Sequence, residues 1–331
     1  MSLDDLIGAR LTVGFSGTTA TDALITHLRE IHAQSLILFE RNFTSPEQVA
    51  RFLRRLEEAL ARRLLVMVDH EGGRVIRFRQ GVTQFPDARH AEAGGPAAVE
   101  QQGAVEGQEL KQLGVSVNLA PCVDVVVEGV DPIIGDRSYG SDPTRVGDLS
   151  VARIHGLQSR GVAACAKHFP GLGAVPRDPH KTLPTIPVDW PTMERVHLAP
   201  FRAAIGAEVA LVMSSHVCYP LLGDPAGVPA TFSSRLIHTL LRTRMEFTGV
   251  VITDDLLMGA LRRFGTTGES AVKAAQAGHD LLLICDDLAA QKEAFSRLRQ
   301  AYQDGLLKQA ELETSVLRIN RLRQKFLGSP P

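Results

Sequence analysis

Residues 166–184, AKHFPGLGAVPRDPHKTLP, decide how the chain is read. The apolar run 161–165 stops there and is followed by Lys167 and His168, a Pro-Gly-x-Gly turn, and Asp178 and His180 two residues apart. An apolar strand that ends in a cation, an imidazole and a loop is the layout of a site, because loops carry chemistry on a rigid scaffold. The competing reading is a surface loop with incidental polar residues. The Gly-x-Gly is not a dinucleotide fingerprint, since it lacks the third glycine and Pro176 and Pro179 break any helix that should follow.

Working outward, short apolar runs rich in Val, Ile and Leu recur at 11–15, 35–39, 64–68, 115–120, 162–165, 210–213, 249–252 and 280–284. Near-continuous runs of this kind are expected of parallel strands covered on both faces. Helical patterns lie between them. Ser45-Pro46-Glu47-Gln48 is a helix start, with Val49, Phe52, Leu53, Leu56 and Leu60 following at helical spacing. Weaker helical patterns cover 97–113, 143–159, 191–205, 234–245, 268–277, 288–302 and 309–326. Strand and helix alternating eight times predict a (β/α)8 barrel, with a doubly wound open sheet as runner-up. No linker or short-period repeat marks a second domain, so residues 1–331 are expected to form one domain.

In a barrel the catalytic groups come from the C-terminal ends of the strands. Here those ends are polar: Asp69-His70-Glu71 with Arg74 and Arg77, then Asp124 and Arg137, Lys167 and His168, Ser214-Ser215-His216, Asp254-Asp255, and Asp286-Asp287. Each also has a structural explanation. Asp124, Asp286 and one of Asp254 and Asp255 are candidate caps, and Arg74 is a candidate surface ion pair. Six such ends on one rim are hard to explain as structure alone, because a structural rim does not need to gather cations and acids. No metal is expected: there is no His-Glu-x-x-His or Cys-x-x-Cys pattern, and Lys167 with two arginines would repel a cation held by the paired aspartates. A phosphate-cradling glycine loop and a Gly-x-Ser-x-Gly elbow are also missing.

Composition sets outer bounds. Of 331 residues 44% are hydrophobic and 22% charged, with a net charge of −1, so nothing pulls the chain toward nucleic acid or an anionic membrane. The four cysteines, Cys122, Cys165, Cys218 and Cys285, fall in or beside apolar runs and read as buried reduced thiols. Without a basic n-region or a long apolar span, the expected location is the cytoplasm.

The same residues give a resemblance. VDHEGGRV at 68–75 with Arg77, IGDRSY at 134–139, KHFPGLG at 167–173, Asp178-Pro179-His180, MSSHV at 213–217 and ITDDLLMGA at 252–260 occur in one order across nearly the whole chain. In this the chain resembles the single-domain bacterial β-N-acetylglucosaminidases of glycoside hydrolase family 3. The resemblance implies a barrel, no cofactor, and retaining hydrolysis of terminal β-linked N-acetylglucosamine from muropeptides or chitin-type oligosaccharides. It matches Asp254 to the nucleophile, His180 to the acid/base, and Asp178 to the acid that pairs with that histidine. Asp69, Arg77, Arg137, Lys167 and His168 match sugar-binding residues. Two departures stand out: Leu172 replaces the usual histidine between the glycines, and Pro179 the usual serine between Asp and His. Both bear on the loop carrying His180 rather than on the reaction class. The alternatives within the family are a phosphorylase and a β-glucosidase. Outside it they are a barrel that binds saccharide without cleaving it and a lyase or aldolase using Lys167 as a Schiff-base amine.

Overall fold

The computed structural model describes residues 1–127, 133–175 and 183–327. Eight parallel strands follow one another around a barrel: β1 Leu11–Val13, β2 Ser35–Leu38, β3 Leu65–Val68, β4 Val117–Asn118, β5 Ala163–Phe169, β6 Leu211–Ser214, β7 Val250–Thr253 and β8 Leu282–Ile284. β1 pairs with both β2 and β8. The seam between β7 and β8 is closed by a bridge between Ile252 and Leu281, where the Thr253 N–H donates to the Leu281 carbonyl at 3.1 Å. The expected (β/α)8 barrel is what forms.

Alternation along the strands sorts the side chains into two layers. Ile37, Leu65, Met67, Val117, Leu119, Ala163, Cys165, Leu211, Met213, Val250, Ile252 and Leu283 pack together inside the barrel, and Ile319, Leu322 and Phe326 of the last helix join them. Their neighbours Leu36, Leu38, Val66 and Val68 pack outward against the helices. The helix Pro46–Leu60 shows how that outer layer is written locally. Ser45 accepts the Gln48 N–H at 3.2 Å, Pro46 opens the first turn, and Val49, Phe52, Leu53, Leu56 and Leu60 are buried. Each such side chain contributes about 1.5–3 kcal/mol by leaving water.

Three departures from the expected elements have physical causes. β5 continues to Phe169, so Lys167 and His168 are part of the strand and not of the loop after it. Neighbouring carboxylates let these polar residues extend an apolar run. The helical pattern at 191–205 is interrupted by a wider π turn at Met193–His197, just before Leu198–Gly206. Pro200 has no N–H to offer the carbonyl of Val196, so the regular ladder cannot run through. The helix Asp22–Glu30, capped by Thr21, fills the first crossover, where the sequence pattern indicated none.

Helices Gly95–Gln112 and Pro143–Ser159 lie in close contact, and a Cβ on Gly156 would sit 2.3 Å from the Glu100 carbonyl oxygen. Between them Arg153 is ion-paired with Glu106, both only 2% exposed, and also donates to the carbonyl of Glu71 at 3.2 Å. Burial lifts the Glu106 carboxyl to about 7 against the pull of Arg153. All four cysteines are free thiols, three of them buried. Among the described residues no helix is long and apolar enough to cross a membrane.

Arg153→Met strands Glu106 in the interior and releases the Glu71 carbonyl. It should lower unfolding stability by about 3–5 kcal/mol in denaturant titration. A loss below about 1 kcal/mol would mean that this pair does not anchor the two helices.

Candidate active site

One rule builds the floor of the site. Continuing each inward row by two residues past the barrel core gives Phe39 after Ile37, Asp69 after Met67, Lys167 after Cys165, Asp254 after Ile252 and Cys285 after Leu283. All five line one cavity of about 460 Å³ at the C-terminal mouth of the barrel, together with Glu71, Arg77, Arg137, His168, Leu172 and Met213. His168 joins out of turn because the register between β5 and β6 slips by one residue between Lys167 and Phe169. Such a bulge re-aims a side chain.

Lys167 is the hub. Its ammonium, 2% exposed, lies 2.7 Å from Asp69 Oδ1 and 2.7 Å from Glu71 Oε1. Glu71 also accepts both arms of the Arg137 guanidinium at 2.8 Å each. Burial pushes the Glu71 carboxyl up, but Arg137 and Lys167 more than offset this and hold it well below the usual range. The two acids likewise hold the Lys167 pKa above its ordinary value despite burial. An amine kept protonated in this way is a poor Schiff-base nucleophile, which removes the main support for the lyase or aldolase alternative. Arg77 reaches Asp69 Oδ2 only at 3.5 Å, and among the described residues its own buried Nε has no partner. Asp69 and the guanidinium tip of Arg77 are thus only loosely paired and partly exposed, which leaves them hydrogen-bonding capacity for sugar hydroxyls.

His168 is fixed from behind. Its Nδ1 is 2.7 Å from Asp124 Oδ2, and its Nε2 is 3.4 Å from Arg137. Asp124, 1% exposed, also accepts the backbone N–H of Leu172 at 2.6 Å and the thiol of Cys122 at 3.2 Å. It is not the simple cap that the sequence suggested: it orients the imidazole and ties down the turn after β5. Cys122, Asp124 and His168 also offer the one cluster among the described residues with metal-ligand geometry, their ligand atoms lying within 4.8 Å of one another. Those atoms are engaged with each other through hydrogen bonds.

The two adjacent aspartates divide the work. Asp254 accepts the Asp255 N–H on Oδ1 at 2.8 Å and is in no ion pair among the described residues. Burial raises its pKa, but His216, His168, the Asp255 N–H and Lys167 together hold it below the ordinary value. It is an ionised carboxylate facing the cavity. Asp255 turns back into the fold, where its Oδ1 accepts the N–H groups of Leu257 and Cys285 at 3.1 Å each. His216 bridges the Thr231 hydroxyl at 2.6 Å and the Asp255 carbonyl at 2.9 Å. Arg74 is an exposed rim residue paired with Asp136 at 2.7 Å, and Asp287 caps the helix Leu288–Gln303.

Of the residues singled out from sequence, Asp69, Arg77, Arg137, Lys167, His168 and Asp254 line the same cavity. Asp178 and His180 lie outside the described residues. Sequence reasoning named Glu71 at the polar end of β3 but gave it no role of its own, although it follows Asp69 at the alternate position. Phe39, Met213 and Cys285 were also missed; the two-residue rule would have found Phe39 and Cys285, while Met213 is already the last inward residue of β6.

A parallel barrel with acids, cations and an ionised carboxylate unpaired among the described residues at its C-terminal mouth belongs to the class of barrel glycoside hydrolases. Residues 3–322 match the glycosyl hydrolase family 3 N terminal domain. A β-hexosaminidase of Nitrosomonas eutropha is 36% identical over 296 residues, covering 87% of this chain and 84% of that protein. The solved family 3 β-N-acetylglucosaminidase of Paenibacillus sp. FPU-7 superposes with a TM-score of 0.96 at 36% identity, over 100% of this chain and 64% of that one. The β-N-acetylhexosaminidase of Beutenbergia cavernae superposes with a TM-score of 0.88 at 29% identity, over 97% of this chain and 98% of that one. The chain belongs to glycosyl hydrolase family 3.

Burial lifts the Asp255 carboxyl to about 6, against an ordinary value of 3.8. The native state thus retains a proton that the unfolded chain has released. The cost grows as pH rises from about 4 to about 6 and then stays, reaching roughly 3 kcal/mol at most. Asp255→Asn removes that cost and keeps the Oδ1 acceptor. Its stability relative to the wild type should therefore rise between pH 4 and pH 7 in thermal unfolding, with turnover retained. A difference independent of pH, or an inactive variant, would contradict the assignment.

Proposed function

We propose that the protein releases terminal β-linked N-acetylglucosamine with retention of configuration, as one catalytic domain over residues 1–331, through a covalent glycosyl-enzyme on Asp254. The observation that carries this reading is the state of Asp254: ionised, without a cation partner among the described residues, and at a strand end in a cavity also lined by Lys167, Asp69 and Arg137. A nucleophile must be charged yet not neutralised by a close partner. Names such as β-hexosaminidase and β-N-acetylglucosaminidase among the similar proteins support the choice of sugar.

His180 is proposed as the acid that protonates the leaving oxygen and then, as base, activates water. An imidazole with an ordinary pKa near ~6.5 can do both close to neutrality. Asp178 is proposed to orient it and to stabilise its charged form, as the acid does in a hydrolase triad. Asp69, Arg77, Arg137, Lys167 and His168 bind the sugar and hold its anomeric carbon over Asp254, which lowers the entropic part of the barrier. Asp124 and Glu71 act through the residues they orient. The proposed substrates are muropeptides or chitin-type oligosaccharides in the cytoplasm.

Asp254→Asn should nearly abolish turnover of a chromogenic N-acetylglucosaminide while the fold persists. His180→Ala should cost roughly 10²–10⁴-fold on substrates with poor leaving groups and far less on a good phenolate. Equal losses on both substrate types would make His180 structural. The matching glucoside should be a poor substrate. Product that carries phosphate when phosphate is added would favour the phosphorylase alternative.

A further inference from the structure

A second polar cavity, of about 360 Å³, lies at the other end of the barrel, where the strands begin. Arg10 enters it just ahead of β1, Arg242 from the segment leading to β7, and Arg318 from the last helix, Gln309–Leu327. The opposite face of a barrel ordinarily serves stability, so a polar cavity with three guanidiniums there calls for an explanation.

The charges do not balance. Asp280, fully buried ahead of β8, gives Oδ2 to Arg242 and to the Val251 N–H at 2.9 Å, and Oδ1 to Arg318 at 3.1 Å. Both of its oxygens are thereby engaged. Arg10, 2% exposed, meets only neutral acceptors: the carbonyls of Asp280 (3.1 Å) and His279 and the hydroxyl of Tyr302. Two guanidiniums thus share the Asp280 carboxylate, and Arg10 has none. Glu311 is the one acid in the lining, and with it counted a positive charge is still in excess. Burial and the charge of Arg318 depress the Arg242 pKa even with Asp280 in contact. Hydroxyl groups complete the wall: Ser234, which starts its helical segment without a side-chain capping bond, Thr314, Ser315 and Tyr302. Arg242 also donates to the carbonyls of Phe247 at 3.0 Å and Gly249 at 2.5 Å, and the Thr314 hydroxyl to that of Ala310 at 2.8 Å, so Arg10 and Arg242 are held in place while Arg318, bonded through Nη1 alone among the described residues, keeps N–H groups for the open space.

We propose that this cavity binds a phosphate-type oxyanion, free or carried on a small metabolite. Planar guanidiniums and hydroxyls are the donors that match such a group, and the volume leaves room for more than the anion itself. A bound anion would relieve the repulsion between Arg242 and Arg318 and tie the start of β1 to the final helix. It would stabilise the fold by mass action, independently of the sugar chemistry at the far end.

The test is thermal unfolding of the full chain in inorganic phosphate against sodium chloride of equal ionic strength. Phosphate should raise Tm in a saturable way beyond chloride. Arg318→Gln should raise the half-saturating concentration about tenfold to a hundredfold, the cost of losing a charged hydrogen bond. Thr314→Glu, at an exposed position four residues before Arg318, should weaken binding in the same direction by competing for the guanidinium, and it reads the site even if Arg318→Gln folds poorly. Arg137→Gln in the sugar cavity should leave the titration unchanged, and Arg318→Gln should leave hydrolysis in phosphate-free buffer unchanged. A second arm with glucose 6-phosphate separates the sources: tighter binding than phosphate points to a phosphorylated metabolite, equal or weaker binding to the free anion. A phosphate effect no larger than that of chloride, or one removed by Arg137→Gln and kept in both Arg318→Gln and Thr314→Glu, would overturn the proposal.

Discussion

The buried ammonium of Lys167, held 2.7 Å from both Asp69 and Glu71, is the interaction on which the site depends. A charge in the wall of a barrel core is costly unless it is fully paired, and here each partner has a further partner: Arg137 for Glu71 and Arg77 for Asp69. The network therefore stands or falls as a unit. It joins the ends of β3 and β5 to the loop carrying Arg137, and it is backed by Arg153 through the carbonyl of Glu71. Such a network costs more to bury than an apolar cluster of similar size. What it provides is a set of hydrogen-bonding groups in fixed positions, which is how sugar hydroxyls are read.

The same charges tune the two aspartates after β7 in opposite directions. Asp254 feels His216, His168 and Lys167 and stays ionised, while the burial of Asp255, with the charge of Asp254 beside it, outweighs the Cys285 and Leu257 N–H groups and the Cys285 thiol and lifts it to about 6. Neighbours in sequence thus become a charged group aimed at the cavity and a group spent on holding the turn. Environments that separate the pKa values of adjacent acids commonly separate their roles. Through Asp124, His168 and the turn at Leu172 are coupled, so the segment leading toward Asp178 and His180 starts from a fixed point.

Much of this is legible in the sequence, for reasons that differ by residue. The barrel is readable because its strands are buried on both faces and the chain alternates strand and helix. The polar strand ends are readable because apolar runs stop abruptly at Asp69, Lys167 and Asp254. The helix Asp22–Glu30 is not, being short and mixing His and Thr with its apolar residues. Glu71 was named without a role and Asp124 was read as a cap, because their importance lies in what they contact across the mouth, from strands far apart in sequence. Phe39 and Cys285 look like ordinary strand residues until the inward row is continued to the rim. The length of β5 is hidden because a lysine and a histidine read as loop unless their buried partners are known.

The account rests on Asp254 as the group that attacks the sugar. Incubation with a 5-fluoro N-acetylglucosaminyl fluoride, followed by fragment mass spectrometry of the digested protein, tests this directly. The account predicts a single glycosyl adduct on Asp254, absent from the Asp254→Asn protein and present in the Asp255→Asn protein. An adduct on Asp255, or normal turnover with no adduct on either carboxylate, would contradict it.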